Sequence, residues 1–138
     1  MPDASSSRVR SFADWIGITA SAACALHCLV VPALLVSGTL LPASFLADEA
    51  FHKAMIWVIL PAALIAFGFG SLRHRDRRVI LLGAIGVIGI IISATLLHDL
   101  VGEQGERIGT VISGALLILA HVRNFRLCRV SDHEHQPA

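Results

Sequence analysis

Four long apolar runs, at 15–38, 53–71, 79–100 and 108–123, take up most of this 138-residue chain. Crossing bilayer hydrocarbon takes about 20 predominantly apolar residues in helical form. The last run reaches that length once its flanks are included, giving a helix over 106–124. The connectors, 41–52, 73–78 and 102–107, are short and two of them are strongly polar. Short connectors between long apolar helices predict an up-down-up-down arrangement. Composition agrees: at 55% hydrophobic and 15% charged residues, the chain has more apolar surface than a soluble domain of its size can hide. The predicted fold is all-α, an integral membrane antiparallel four-helix bundle over 15–128. An N-terminal segment 1–14 precedes it and a polar tail 129–138 follows.

Arginine and lysine orient the bundle. Arg8 and Arg10 precede the first run, Arg73, Arg75, Arg77 and Arg78 fill the second connector, and Arg123, Arg126 and Arg129 follow the fourth. The opposite side keeps only Lys53 and Arg107, among Asp48, Glu49, Asp99, Glu103 and Glu106. The positive-inside rule then predicts that both termini are cytoplasmic, in agreement with an even number of crossings. The first apolar run continues well past the small residues that could mimic a cleavage site, so the N-terminus reads as retained. Ser21-Ala22-Ala23-Cys24 resembles a lipoprotein processing site but has serine where an aliphatic residue belongs. Charged tails long enough to hold nucleic acid are absent, which excludes that partner class.

Soft and ionisable residues within membrane spans carry the functional signal. Cys24, His27 and Cys28 lie in the first run. Residues four apart share a helix face, so Cys24 and Cys28 are neighbours, with His27 about 100° away from Cys28. Gly17, Ser21, Cys24 and Cys28 form a stripe of small residues, which in membranes faces other helices rather than lipid. Thiolates favour thiophilic metals over hard cations, and the histidine can complete a site or hold a released proton. Taken singly, each cysteine reads better as a small packing residue; the cluster of three reads as a metal site. His121 falls on a stripe with Gly114, Leu117, Asn124 and Cys128, below the cysteines and in place for a relay with Cys128. His52, His98 and Asp99 mark the opposite end, as an intake group or as ordinary interfacial polar residues. His74 lies in a charge run and reads as solvated, and His133 and His135 belong to the tail. The three cysteines do not form a secreted disulfide framework.

Pro32 and Pro61 fall inside the first two helices and should bend them. Gly83, Gly86 and Gly89 recur at every third position of an uninterrupted apolar run with no preceding strand, so they read as close helix packing rather than a phosphate loop. Gly109 and Ser113 read the same way.

The blocks "SAACALHCLVVP" at 21–32 and "LAHVRNFRLCR" at 119–129, with "LLHDL" at 96–100 as a weaker third, resemble the MerC-type mercury resistance membrane family. The resemblance in helix number and size covers nearly the whole chain. It implies a bacterial inner-membrane protein that passes mercuric ion into the cytoplasm, with the first-helix cysteine pair, here Cys24 and Cys28, binding the ion. It also implies a periplasmic metal carrier and a cytoplasmic thiol acceptor as partners, beside the lipid bilayer and the metal itself. The histidine beside the second cysteine, and the tail with histidines in place of a cysteine pair, depart from that family's pattern. No permanent cofactor is expected and a homo-oligomer is compatible with the glycine stripes. Two other readings stay open: a haem-binding electron-transfer bundle with His27 and His121 as axial ligands, and a small structural or regulatory membrane protein. No nucleophile–base–orienter set appears, so an enzyme is not expected.

Overall fold

The computed structural model describes residues 4–37 and 49–134. All regular structure among them is helical: α1 (Ala4–Val36), α2 (Glu49–His74), α3 (Arg77–Ile92), a five-residue π-helical turn (Ser93–Leu97) and α4 (His98–Glu134). Four stretches are long and apolar enough to cross a membrane: Ser7–Val31, Lys53–Gly70, Arg77–Leu97 and Asp99–Val130. α1 starts well before the first apolar run, because nothing between Ala4 and Ile16 breaks a helix. Pro61 is accommodated within α2, where it faces outward. The side chains of Pro32 and His74, and the connector 38–48, lie outside the described residues.

The pattern of burial is inverted relative to a soluble bundle. Large apolar side chains such as Trp57, Leu72, Leu81, Leu100 and Leu119 are exposed on the outside, while Ala62, Ala63, Ala66, Ala94 and Ala120 fill the interior. Lipid tails solvate the former, and small residues let the backbones approach. α1 and α4 pack extensively on each other, with α2 against α1 and α3 against α4. Neighbouring helices run antiparallel: Asp14 meets His121 and Asn124, His27 meets Phe51, and Gly89 and Gly109 receive Ser113 and Ser93 respectively. A Cβ at residue 83, 86 or 89 would collide with Phe67, Leu117 or Ser113, which accounts for the glycine spacing of α3.

Two tight turns reverse the chain at opposite ends. Between α2 and α3, Arg75 takes a left-handed conformation and Asp76 caps α3, its Oδ1 accepting from the Arg78 amide at 2.8 Å. Asp76 Oδ2 also accepts from Arg123 Nη2 at 2.8 Å and Nε at 3.1 Å, which ties this turn to α4. The Arg123 guanidinium, seconded by the Arg78 amide, holds the Asp76 carboxyl below its ordinary range. At the other end the sequence predicted a connector over 102–107. Instead Gly102 alone, at φ 75° and ψ −177°, makes the break, and helix resumes directly, with Arg107 paired to Glu103 one turn earlier. The polar run there looked like loop, but i,i+4 ion pairing and a single glycine suffice.

Gly102 occupies a backbone region that is essentially closed to L side chains, and no neighbour lies within 4 Å of where its Cβ would stand. Gly102→Ala should therefore destabilise the bundle by about 1–3 kcal/mol through backbone strain alone. Gly68→Ala, in helical backbone with equally open space, should be neutral or slightly stabilising. Unfolding in mixed micelles compares the two; equal behaviour would contradict the turn described.

Candidate functional site

The stripe predicted on α1 lies inside the bundle. Gly17, Ser21, Cys24 and Cys28 are all buried, and Asp14 extends the stripe by one more turn. Opposite them on α4 stand Thr110, Gly114, Leu117, His121, Asn124 and Cys128, also buried. The α1–α4 seam thus carries two chemically different levels.

The first level holds the thiols. Cys24 packs in the apolar centre with Ala20, Ile59, Ile90 and Leu117, so all four helices meet around it. Cys28, one turn on, has Thr110, Glu106 and Arg107 as its polar neighbours. It also lines an open groove of about 290 Å³ with Gln104, Arg107 and Ile108. All three cysteines are free thiols. His27 is turned toward α2 instead, where its ring stacks on Phe51 at 4.1 Å between centroids and 17° between planes. Among the described residues, no three His, Cys, Asp or Glu side chains come together as a metal-holding group. The thiol pair is thus a two-sulfur arrangement, apolar around Cys24 and polar on the Glu106, Arg107 and Thr110 side of Cys28.

The second level is a polar cluster. Asp14 is completely buried and Asn124 Nδ2 donates to both its oxygens, at 3.0 and 2.9 Å, and to the Ala66 carbonyl at 3.2 Å. All three acceptors lack protons to give when Asp14 is ionised, so the amide nitrogen must face them. His121 Nδ1 lies 2.9 Å from Asp14 Oδ1. Its ring is sandwiched between Phe67, at 4.5 Å between centroids, and the bare backbone of Gly17, where any Cβ would overlap it. Gly70 makes the same kind of room for Asn124. Sequence reasoning left Asp14 in the N-terminal segment 1–14 and put Asn124 on the His121 stripe without giving it a role. The available signal was the 3-4 spacing, which runs unbroken from Asp14 to Cys28.

Cys128 is buried near the same end as this cluster, and Asp99 is exposed at the other. The side chains of His52 and His98 lie outside the described residues. His27 and His121 stand at different heights: His121 lies against Gly17, ten residues before His27, or about 15 Å along α1. That separation keeps the two imidazoles from sharing one haem iron.

The structure thus defines a multi-pass membrane-type helical bundle with a buried thiol pair on its central seam. The chain belongs to the MerC mercury resistance protein family, whose model matches residues 14–126. No curated protein and no solved structure matches it. The matched region begins at Asp14 and includes His121 and Asn124, so both levels of the seam fall within it.

Losing Asn124 would leave the Asp14 carboxylate buried without its two amide bonds. Asn124→Ala should cost about 1–3 kcal/mol or more, the usual penalty for an unsatisfied buried group. Leu119→Ala, on the lipid-facing side of the same helix, should cost much less. Unfolding midpoints of the two variants check this; a harmless Asn124→Ala would mean that the cluster does not hold the seam.

Proposed function

We propose that this protein carries mercuric ion across the bacterial inner membrane into the cytoplasm, with Cys24 and Cys28 as the binding pair. The observation that carries the reading is the buried two-thiol level on the α1–α4 seam of a mercury resistance family member. Mercuric ion is the soft cation that is content with two thiolates in a linear arrangement, whereas zinc in structural sites asks for four donors. The lack of a third donor among the described residues favours mercury on that ground. His27, stacked on Phe51, then assists from the side rather than completing a ligand set.

The excess of arginine at the end that holds Asp76, Arg123 and the termini supports a cytoplasmic assignment for that end. The ion would arrive at the Gly102 end, by way of the groove beside Cys28 and the region of His52, His98 and Asp99. Transfer between thiolates takes it from Cys28 to Cys24 and on toward the level of His121 and Cys128. Ligand exchange suits this path because each step replaces one sulfur by another. A periplasmic carrier on one side and a cytoplasmic thiol on the other would complete the sequence.

Uptake of radioactive mercuric ion by cells expressing the protein tests the pair. Cys24→Ser and Cys28→Ser should each reduce protein-dependent uptake at least tenfold, and the double substitution should abolish it. Uptake equal to wild type in the double variant, at equal membrane abundance, would remove these residues from the mechanism.

A further inference from the structure

On the α1–α4 seam the hydroxyl of Thr110, at the thiol level, has no hydrogen-bond partner among the described residues, and neither do two atoms nearer the polar cluster: Nε2 of His121 and the hydroxyl of Ser21. The side chains of His121 and Ser21 are completely buried. They lie in sequence between the polar cluster and the thiols, since Gly17 faces the His121 ring, Ser21 is one turn further, and Cys24 is three residues beyond Ser21.

Asp14 sits inside a membrane span, where an ionised carboxylate without a counter-charge is costly. Two states make the Asp14–His121 pair neutral overall: carboxylate beside imidazolium, or carboxylic acid beside neutral imidazole. Each contains one proton that the carboxylate with neutral imidazole lacks. Asn124 donates to both Asp14 oxygens, so a proton taken up by the pair goes to the ring. With Nδ1–H directed at Asp14 Oδ1, the remaining proton is gained and lost at Nε2, the very atom without a partner.

We propose that Asp14, His121 and Asn124 form a buried proton-binding site, exchanging one proton at His121 Nε2, with Ser21 as the step between it and the thiol level. The link to the thiols rests on the reading of Cys24 and Cys28 as the mercury pair. Two thiols that bind one mercuric ion form two S–Hg bonds and release two protons. Where the ring starts neutral, one passes by way of the Ser21 hydroxyl to Nε2 and makes imidazolium, which neutralises the pair; the other leaves through the groove beside Cys28 to water. No electrons change hands. When the ion moves on and the thiols are reprotonated, His121 returns its proton.

The groups that face this site are few. From α1 they are Arg10, one turn before Asp14, and Cys24 beyond Ser21; from α4 they are Cys128 and Arg123, the latter bound to Asp76. α2 supplies the Phe67 ring, the Ala66 carbonyl and Gly70, and it carries no titratable residue between Ala54 and Leu72. α3 has none after Arg78.

The test has a metal-free arm and a metal arm, both on the full-length protein in liposomes. In the first, nitrogen NMR of labelled histidine follows each imidazole between about pH 5 and 8. The His121 signal is assigned in the wild type through its proximity to Phe67 and Gly17. The expected result is reversible proton uptake at Nε2 that is lost in Asp14→Asn. A ring that stays neutral throughout in the wild type, or proton uptake indifferent to Asp14→Asn, would overturn the proposal. Should Asp14→Asn fail to fold, the wild-type titration still decides. In the second arm, proton release on adding mercuric ion is measured in weak buffer. At a pH where the first arm finds the ring neutral, wild type should release about one proton per ion, and His121→Gln about two. Equal release from both would overturn the coupling to the thiols. Absence of thiol-dependent mercury binding in the wild type would refute the mercury reading instead, and the first arm would stand apart from it.

Discussion

A carboxylate buried in a membrane span has to be matched, and Asp14 is matched from one direction only. Asn124 and His121, one turn apart on α4, supply the donors; Ala66 on α2 shares the Asn124 amide. Sliding α1 along α4 by one residue would strand the carboxylate, because the partners lie at fixed heights and the bilayer offers no water to replace them. This single contact therefore fixes the register of the central seam. Everything at the thiol level inherits that register: Cys24 arrives opposite Leu117, and Cys28 opposite Thr110 and the groove near Arg107. Gly17 and Gly70 serve the same end, since a methyl group on either would displace His121 or Asn124.

The remaining helices are arranged around that seam by weaker means. α3 packs on α4 through glycine-to-serine and glycine-to-leucine contacts, the close approach that membranes reward in place of a hydrophobic driving force. The α2–α3 turn, which lies between two spans, is clamped to α4 by the Asp76–Arg123 pair. α2 and α3 touch each other less, leaving an apolar groove lined by Phe67, Gly68, Gly83 and Ala84.

Much of the fold was legible because hydropathy in a membrane protein reports directly on where helices lie. The runs at 53–71 and 79–100 fall within helical structure, and the small stripe of α1 is buried. The turns were less legible. The polar stretch 102–107 reads as loop by composition, yet one glycine with positive φ does the whole reversal. For the site, the shared face of Cys24 and Cys28 followed from helical spacing, and so did the inward position of His121. The direction of His27 did not, because ring stacking on Phe51 is a tertiary preference that spacing cannot reveal. Asp14 was hidden by its place at the edge of an apolar run, where acidic residues are usually solvated; only its partners on α4, more than a hundred residues away, make it an interior group.

The central claim is that the α1–α4 seam presents Cys24 and Cys28 together as a two-sulfur site for mercuric ion. X-ray absorption at the mercury edge, on the reconstituted protein loaded with one ion, measures this most directly. The account predicts two sulfur neighbours in near-linear geometry in the wild type, and loss of that signal when both cysteines are replaced by serine. A shell dominated by nitrogen or oxygen, or a two-sulfur spectrum that persists without Cys24 and Cys28, would contradict it.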